Sequence, residues 1–211
     1  MPRRSSRSAP IPTTVDCHER RRSTREASVK STRETSVRVW SPYVRLFHWS
    51  LVLCVAVAWF SSGEIMKVHE LAGYSAGVLI ASRLIAGLAG SGYTRFRQFV
   101  RGPRAVGLYM ADVAQGRERR HLGHNPAGGA MVLALLACVA GIALTGWMQT
   151  TDAWWGVTWV EDTHKILGNG ILVLVGLHVG GVLLASLRHH ENLVRAMLTG
   201  RKRAPSSEDV A

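Results

Sequence analysis

The sequence predicts an all-α integral membrane protein, a four-helix bundle whose helices run up-down-up-down through the bilayer. Four segments of the 211-residue chain carry almost no charge, at about residues 44–62, 69–90, 127–148 and 163–187. Each reaches or approaches the roughly 20 residues that an α-helix needs to span ~30 Å of hydrocarbon. Four buried helices of a soluble protein are the alternative, but such helices are rarely so apolar on every side.

Basic residues indicate how these helices are oriented. Residues 1–38 hold ten Lys and Arg against four acids, residues 91–126 hold seven against two, and the residues after Leu187 hold five against three. The other two connections, 62–68 and 149–162, are neutral and acidic. By the positive-inside rule this alternation predicts that both termini and the middle connection are cytoplasmic. The positive charge therefore sets topology, and we expect no nucleic-acid partner.

The chain divides into three regions. Residues 1–36 are rich in Arg, Ser and Thr and predict a disordered basic tail. We expect residues 37–190 to form the transmembrane domain. We expect residues 191–211 to form a short amphipathic helix followed by a cytoplasmic tail. The middle connection predicts an interfacial helix with Phe and Val against the headgroups, and the Trp-rich outer connection predicts an aromatic belt. The three cysteines form no CxxC motif, which argues against disulfides, covalently attached haem and iron–sulfur clusters.

Four of the nine histidines lie within or at the ends of the apolar segments. Ionisable side chains at membrane depth are costly and usually mark function. The predicted topology puts His48 and His178 (the inner pair) near the cytoplasmic face and His69 and His164 (the outer pair) near the other face. His164 and His178 are separated by ~21 Å along one helix and by only about 40° around its axis. A six-coordinate haem iron needs two axial ligands, and a pair of facing imidazoles can supply them. The pattern therefore predicts two b-type haems in the bundle core.

Other interpretations of these residues stay open. A lone histidine near a helix end is more often a structural polar residue, and zinc or copper would compete for the same ligands. Zinc usually takes a third or fourth protein ligand, which two well-separated pairs lack. Arg83, near the level of the inner pair, and Arg45, three residues before His48, are candidates to bind a haem propionate. Snorkelling to the inner headgroups is the alternative for both arginines.

Several strings resemble one known family. They are RLFHWS at His48, HELAGY at His69, RGPRAVGLYM, LGHNPAGGAM and the spacing of the last two histidines. Over about residues 37–203 the chain resembles the bacterial cytochrome b561 family, in the branch that contains the cytochrome b subunits of nickel–iron hydrogenases. The resemblance implies a bacterial inner-membrane cytochrome with two haem b groups. Such a protein carries electrons between a periplasmic-side redox partner and the quinone pool of a respiratory chain. The related cytochrome subunit of formate dehydrogenase implies a quinone pocket near the inner haem, with Asn125 and Gly128 as candidates.

An electron-transfer subunit of a quinone-linked oxidoreductase is therefore favoured over a stand-alone enzyme, and no catalytic residue is assigned. The expected partners are the lipid bilayer, quinone and a periplasmic dehydrogenase, hydrogenase-like protein or cytochrome, with a homodimer as a further candidate. The short outer connection and the lack of a predicted fifth helix count against a dedicated hydrogenase partner. One alternative is a self-sufficient oxidoreductase that takes electrons from a small reductant, with Lys165 attracting an anion. The other is a haem-free membrane anchor whose histidines are structural.

Overall fold

The computed structural model describes residues 36–89, 95–204 and 209–210. Most of the predicted disordered tail, residues 1–35, lies outside them. In chain order the elements are β1 Ser36–Arg38, α1 Pro42–Ser61, α2 Met66–Ala89, α3 Phe96–Phe99, α4 Pro103–Ala114, α5 Pro126–Gln149, α6 Thr158–Arg188, α7 Leu193–Thr199 and β2 Arg201–Arg203. Helices α1, α2, α5 and α6 are long and apolar enough to cross a membrane, and the chain is a multi-pass membrane protein.

Two of the long helices begin with the same local chemistry. The Ser41 hydroxyl accepts a hydrogen bond from the Val44 amide at the start of α1. The Asn125 side-chain oxygen accepts one from the Gly128 amide at the start of α5. In both cases proline is the first helical residue, where its missing N–H costs nothing. Polar caps of this kind satisfy backbone donors that would otherwise lack partners at a helix start.

Helix α6 is the longest element, and it begins earlier than the sequence predicted. Its first residue is Thr158 rather than residue 163, because the helix continues outward through a polar segment that the hydrophobic pattern does not include. His164 therefore lies well inside the helix rather than at its first turn. The fixed backbone on both sides restricts where the imidazole can point.

The four long helices pack as two hairpins. Helix α1 packs along α2 and α5 packs along α6, and the hairpins meet where α2 contacts α5. By contrast, α6 makes few close backbone contacts with α1 or α2, and these are the helices that carry the other two candidate histidines. The buried core lies at the α2–α5 junction and extends to α6 through Ala76, Ile80, Leu136, Cys138, Val139 and Ile171.

The described part of the connection between α2 and α4, residues 95–102, lies under the bundle. A Cβ at Gly87 of α2 would overlap the Phe96 ring, and one at Gly129 of α5 would lie 2.5 Å from the Phe99 carbonyl oxygen. The absence of a side chain at both glycines therefore lets α3 approach the two helices closely. The expectation that these phenylalanines face the headgroups is wrong for Phe99, which is 5% exposed. This connection thus closes the end of the bundle that contains the inner pair.

The two ends of the described chain meet beside this connection. Strand β1 pairs antiparallel with β2, with Val37 opposite Lys202. The Gly200 carbonyl accepts hydrogen bonds from the amides of Val39 and Trp40. We call this region the terminal cap; it comprises β1, β2, α7, residues 117–122 and residues 209–210. The amphipathic helix expected after residue 190 corresponds to α7, but the strands were not predicted because three-residue charged segments have no recognisable β pattern.

Candidate functional site

Four histidines from three helices form two facing pairs. The ring centroids of His48 in α1 and His178 in α6 are 6.4 Å apart. Those of His69 in α2 and His164 in α6 are 6.0 Å apart. The structure therefore brings together the residues that the sequence pattern paired by depth. Both pairs include α6, the helix that packs loosely against α1 and α2.

The outer pair is held by backbone carbonyls. Nδ1 of His69 lies 2.8 Å from the carbonyl oxygen of Ala58, in the last turn of α1. Nδ1 of His164 lies 3.1 Å from the Ile142 carbonyl oxygen and 3.1 Å from the Thr145 hydroxyl. An Nδ1–H that donates to a carbonyl leaves Nε2 with a lone pair and fixes the plane of the ring. This is the arrangement that metal-ligating histidines usually adopt.

A cavity of about 410 Å³ surrounds the outer pair. Its size lies within the range of small-molecule and cofactor sites. Gly73 and Gly168, each four residues after an outer histidine, line this cavity, and a Cβ at either position would meet nothing within 4 Å. At Gly146 of α5 a Cβ would lie 3.1 Å from the His164 ring, so this glycine lets the imidazole lie against the helix. The small residues therefore leave open space beside the two rings.

The rings of the inner pair are half-buried, as are those of the outer pair. His48 packs edge-on against Trp49, with ring centroids 5.1 Å apart. Nδ1 of His48 is buried and has no hydrogen-bond partner among the described residues. A buried ring nitrogen without a partner is costly unless it serves a ligand.

The spacing within both pairs would fit a metal ion held between the two imidazoles. A metal–imidazole bond is about 2 Å long, so two in-line imidazoles with ring centres about 1 Å behind the nitrogens have centroids about 6 Å apart. Both centroid separations agree with this value. Among the described residues there is no group of three or more His, Cys, Asp or Glu side chains that could hold a metal ion. Each pair therefore offers two imidazoles at a spacing that would suit a metal ion held between them.

The structure places the two arginine candidates differently. Arg83 is 4% exposed, and its guanidinium carbon lies 4.9 Å from the Phe96 ring centroid. This cation–π contact holds it under the bundle end rather than in the headgroups. Arg45 donates from Nη1 to the Leu198 carbonyl at the end of α7, at 2.6 Å. Its buried Nε has no hydrogen-bond partner among the described residues.

The two quinone candidates are joined to each other by the cap of α5. The Asn125 oxygen lies 2.6 Å from the Gly128 amide nitrogen, so both residues have a structural role at the helix start. The neighbouring His124 lies between two aromatic rings, with centroids 4.8 Å from Trp40 and 4.6 Å from Phe99. Burial, followed by the charges of Arg83 and Lys202, lowers the pKa of His124 to about 4. His124 is therefore neutral near pH 7, and it is half-buried rather than a solvated loop residue.

A model of the prokaryotic cytochrome b561 family, whose label also refers to hydrogenase cytochrome b, matches residues 39–200. The chain belongs to this family. The cytochrome b561 family comprises membrane cytochromes that bind b-type haem and take part in electron transfer, so the resemblance drawn from the sequence strings is confirmed. The comparisons with curated proteins and with solved structures gave no significant match.

Several residues of the site in this b561 protein were not identified from the sequence. They are the carbonyls of Ala58 and Ile142, the Thr145 hydroxyl and Gly146 around the outer pair, and Trp40 and Phe99 around His124. Backbone carbonyls leave no sequence signal because every residue carries one. Thr145 and Gly146 are adjacent in an otherwise apolar helix, which was the one available indication of a polar and closely packed site.

Proposed function

We propose that this cytochrome b561 protein binds two b-type haems, through the inner and the outer histidine pair, and carries electrons across the bacterial inner membrane. The observation that carries the proposal is the geometry of the two pairs, at centroid separations of 6.4 and 6.0 Å. The two histidines of α6 are ~21 Å apart along that helix, so the two irons would lie at different depths in the bilayer. Haem iron supplies the one-electron chemistry when it is bound, and the surrounding protein tunes its potential.

The up-down-up-down order and the cytoplasmic termini belong to the same proposal. The start of α1 lies beside the end of α6 through the inner pair, and the start of α2 lies beside the start of α6 through the outer pair. This arrangement supports antiparallel neighbours along the chain. Basic residues concentrate at the end that contains the terminal cap, which favours a cytoplasmic position for that end.

The groups around the two histidine pairs would have different roles. The Ala58 and Ile142 carbonyls orient the outer imidazoles, and the apolar helices exclude water from the path between the pairs. Arg83, which is buried at the end of the bundle with the inner pair, would bind a propionate carboxylate. Arg45, with its buried Nε, is a second candidate for that role.

We place quinone exchange at the cytoplasmic end, near the start of α5. Asn125 and Gly128 would form part of its wall, since their mutual hydrogen bond fixes the backbone there. His124 would offer a hydrogen bond to a quinone oxygen. Because its pKa is about 4, it would act as a neutral hydrogen-bonding group rather than as a store for a proton.

The electron donor or acceptor at the outer face is proposed to be a protein partner. The alternative of a small anionic reductant attracted by Lys165 is disfavoured by charge, because the Lys165 ammonium lies 3.6 Å from the Glu161 carboxylate. The two outer connections together carry more acidic than basic residues. A haem-free anchor is disfavoured by membership of a family of b-type cytochromes.

The test of this function is the haem content of single histidine variants. We expect two haem b per wild-type chain, and one each in His178→Ala and His164→Ala, because each substitution removes a ligand from only one pair. His189→Ala is the matched control, since this residue lies one position beyond the end of α6, and it should keep both haems. The measurement is the ratio of haem to protein from reduced spectra, with circular dichroism to verify the helices. Loss of both haems from a folded single variant, or no loss from either, would contradict the assignment.

A further inference from the structure

A polar groove of about 550 Å³ lies at the end of α6, away from both histidine pairs. Three parts of the chain form it: the segment after α4, the residues that end α6, and β2 with Asp209. We call it the basic groove. Its charged residues are Arg117, Glu118, Arg119, Arg120, Arg188, Arg203 and Asp209.

The groove carries a surplus of positive charge. Both carboxylates already contact arginines of the groove, Glu118 with Arg188 at 2.8 Å and Asp209 with Arg120. Among the described residues that line the groove, the side chains of Arg117 and Arg203 form no ion pair and so leave a surplus of positive charge. Like charges gathered in one concave surface repel each other, and a bound anion relieves that repulsion.

The groove is also held in place before any ligand binds. Arg188 donates from Nη1 to the Val113 carbonyl at 2.6 Å as well as to Glu118. Arg120 donates to Glu191 at 2.8 Å and to the Arg203 carbonyl at 3.0 Å. Because these contacts join all three parts of the wall, binding would not have to order them. Preorganised sites of this kind lose less affinity to conformational entropy.

The position and the side chains indicate the ligand. Arg188 is the first charged residue after the apolar part of α6, so the groove lies where headgroups begin. Guanidinium groups match carboxylate and phosphate oxygens in a bidentate geometry, and phosphate is the anionic group that lipid headgroups present. We propose that the basic groove binds a phosphate monoester or diester, whose source is either an anionic lipid headgroup or a soluble phosphate compound. This site is separate from the haem and quinone proposals and does not depend on them.

The experiment uses the full haem-containing chain in a maltoside detergent, which contributes no phosphate. The thermal midpoint is followed while dioleoyl phosphatidylglycerol or inorganic phosphate is added at constant ionic strength. We expect Arg117→Gln combined with Arg203→Gln to raise the additive concentration that gives half of the full midpoint shift about tenfold or more. The reason is that each charged hydrogen bond contributes roughly 1.5–3 kcal/mol. Arg104→Gln combined with Arg195→Gln removes the same charge from exposed positions outside the groove and should respond as wild type does.

The two additives distinguish the source of the phosphate. A response to phosphatidylglycerol alone identifies a lipid headgroup, and a response to inorganic phosphate alone identifies a soluble compound. Responses to both show that the groove recognises the phosphate group itself. The proposal is overturned if neither additive has an effect, or if the control variant loses the response as fully as the groove variant. The reduced haem spectrum of each variant verifies that the bundle is folded.

Discussion

At the scale of single residues, glycine determines where open space lies beside the outer pair. Gly73 and Gly168 both line the outer cavity, one on each of the two helices that carry an outer histidine. Each lies four residues after its histidine, hence one turn along the same helix face. A side chain at either position would project into the space next to the imidazoles. The outer site is therefore shaped by missing side chains as much as by the ligands.

If the outer pair holds a haem as proposed, filling the cavity should remove that haem selectively. Gly168→Leu should bring haem content from two per chain to about one, because the added isobutyl group would occupy the space beside His164. Gly170→Leu is the control, since a Cβ there also meets nothing within 4 Å but the residue does not line the cavity. The haem-to-protein ratio and the reduced spectrum of both variants measure the effect.

Two results would count against this interpretation of the cavity. One is retention of both haems in Gly168→Leu, which would mean that the open space does not hold the macrocycle. The other is an equal loss of haem in Gly170→Leu, which would show only that α6 does not accept a larger side chain at either position. Because leucine is a better helix former than glycine, a general loss of helix is not the expected cause of either outcome.

At this scale the sequence identifies the paired histidines better than the groups that hydrogen-bond to them. The four histidines can be paired from spacing and topology because ionisable groups stand out in apolar helices. The groups that orient them cannot be found in this way. Whether His69 reaches the Ala58 carbonyl depends on how α1 and α2 cross, and the hydrophobic pattern does not contain that angle. The burial of His124 between Trp40 and Phe99 likewise depends on contacts between distant segments.

At the scale of elements, the terminal cap contains a cluster of buried charges beside buried apolar residues such as Leu122 and Ala196. Glu191 lies between Arg120 and Lys202, and the three side chains are 8%, 5% and 5% exposed. The Glu191 carboxylate also accepts a hydrogen bond from the Arg203 amide at the end of β2. Burial alone would raise the pKa of Glu191, but the hydrogen bonds from Arg120 and the charge of Lys202 hold the pKa below its ordinary value. Glu191 thus joins the segment before α5 to the C-terminal strand.

Removing this one charge should loosen the cap. Glu191→Gln would leave Arg120 and Lys202 buried with less compensation, which typically costs about 3–5 kcal/mol for a broken buried pair. We expect amide hydrogen exchange in β1 and β2 to become at least about a hundredfold faster, since each 1.4 kcal/mol corresponds to a factor of ten. Exchange measured by mass spectrometry on peptides from the two strands gives the effect directly.

The control is Glu64→Gln, which removes an exposed carboxylate from the connection between α1 and α2. Exchange in the strands should not change in that variant. Equal exchange rates in wild type and Glu191→Gln would show that strand pairing alone holds the cap. Faster exchange throughout the four long helices would instead indicate that the substitution destabilises the whole bundle.

Element boundaries were predicted where hydrophobicity and capping agree. The predicted third helix, 127–148, differs from α5 by one residue at each end, because Asn125 and Pro126 mark its start. The start of α6 was missed by five residues because a helix can extend beyond the apolar segment that crosses the membrane. The strands of the cap were missed since they pair only through contact between two segments more than 160 residues apart.

At the scale of the whole molecule, the two ends of the bundle differ in charge and in chemistry. The end with the terminal cap carries the basic groove, and the opposite end carries tryptophans and acids. Trp155 is 77% exposed there and lines the mouth of the outer cavity together with Glu70 and Glu161. The outer histidine pair is thus reached through an acidic and aromatic surface. Such a surface favours a partner with a basic docking face.

This asymmetry predicts how electron exchange at the outer face depends on salt. With a small basic electron-carrier protein as donor, the rate of haem reduction should fall as ionic strength rises, because steering between opposite charges is screened. Glu70→Gln combined with Glu161→Gln should slow the reaction several-fold at low salt and flatten the salt dependence. The pair between Glu161 and Lys165 is exposed, so its loss should cost little stability.

The matched control is Asp112→Asn, which removes a negative charge from α4, outside the outer connections, and should leave the donor kinetics unchanged. Stopped-flow measurement of haem reduction at several salt concentrations compares the wild type, the double glutamate variant and the control. If removing the two glutamates does not lower the rate with the basic protein at low salt, the acidic surface does not steer the donor, and the basic docking face inferred here would be wrong. An anionic small reductant used in parallel should show the opposite salt dependence to the basic protein, because the same acidic mouth repels it.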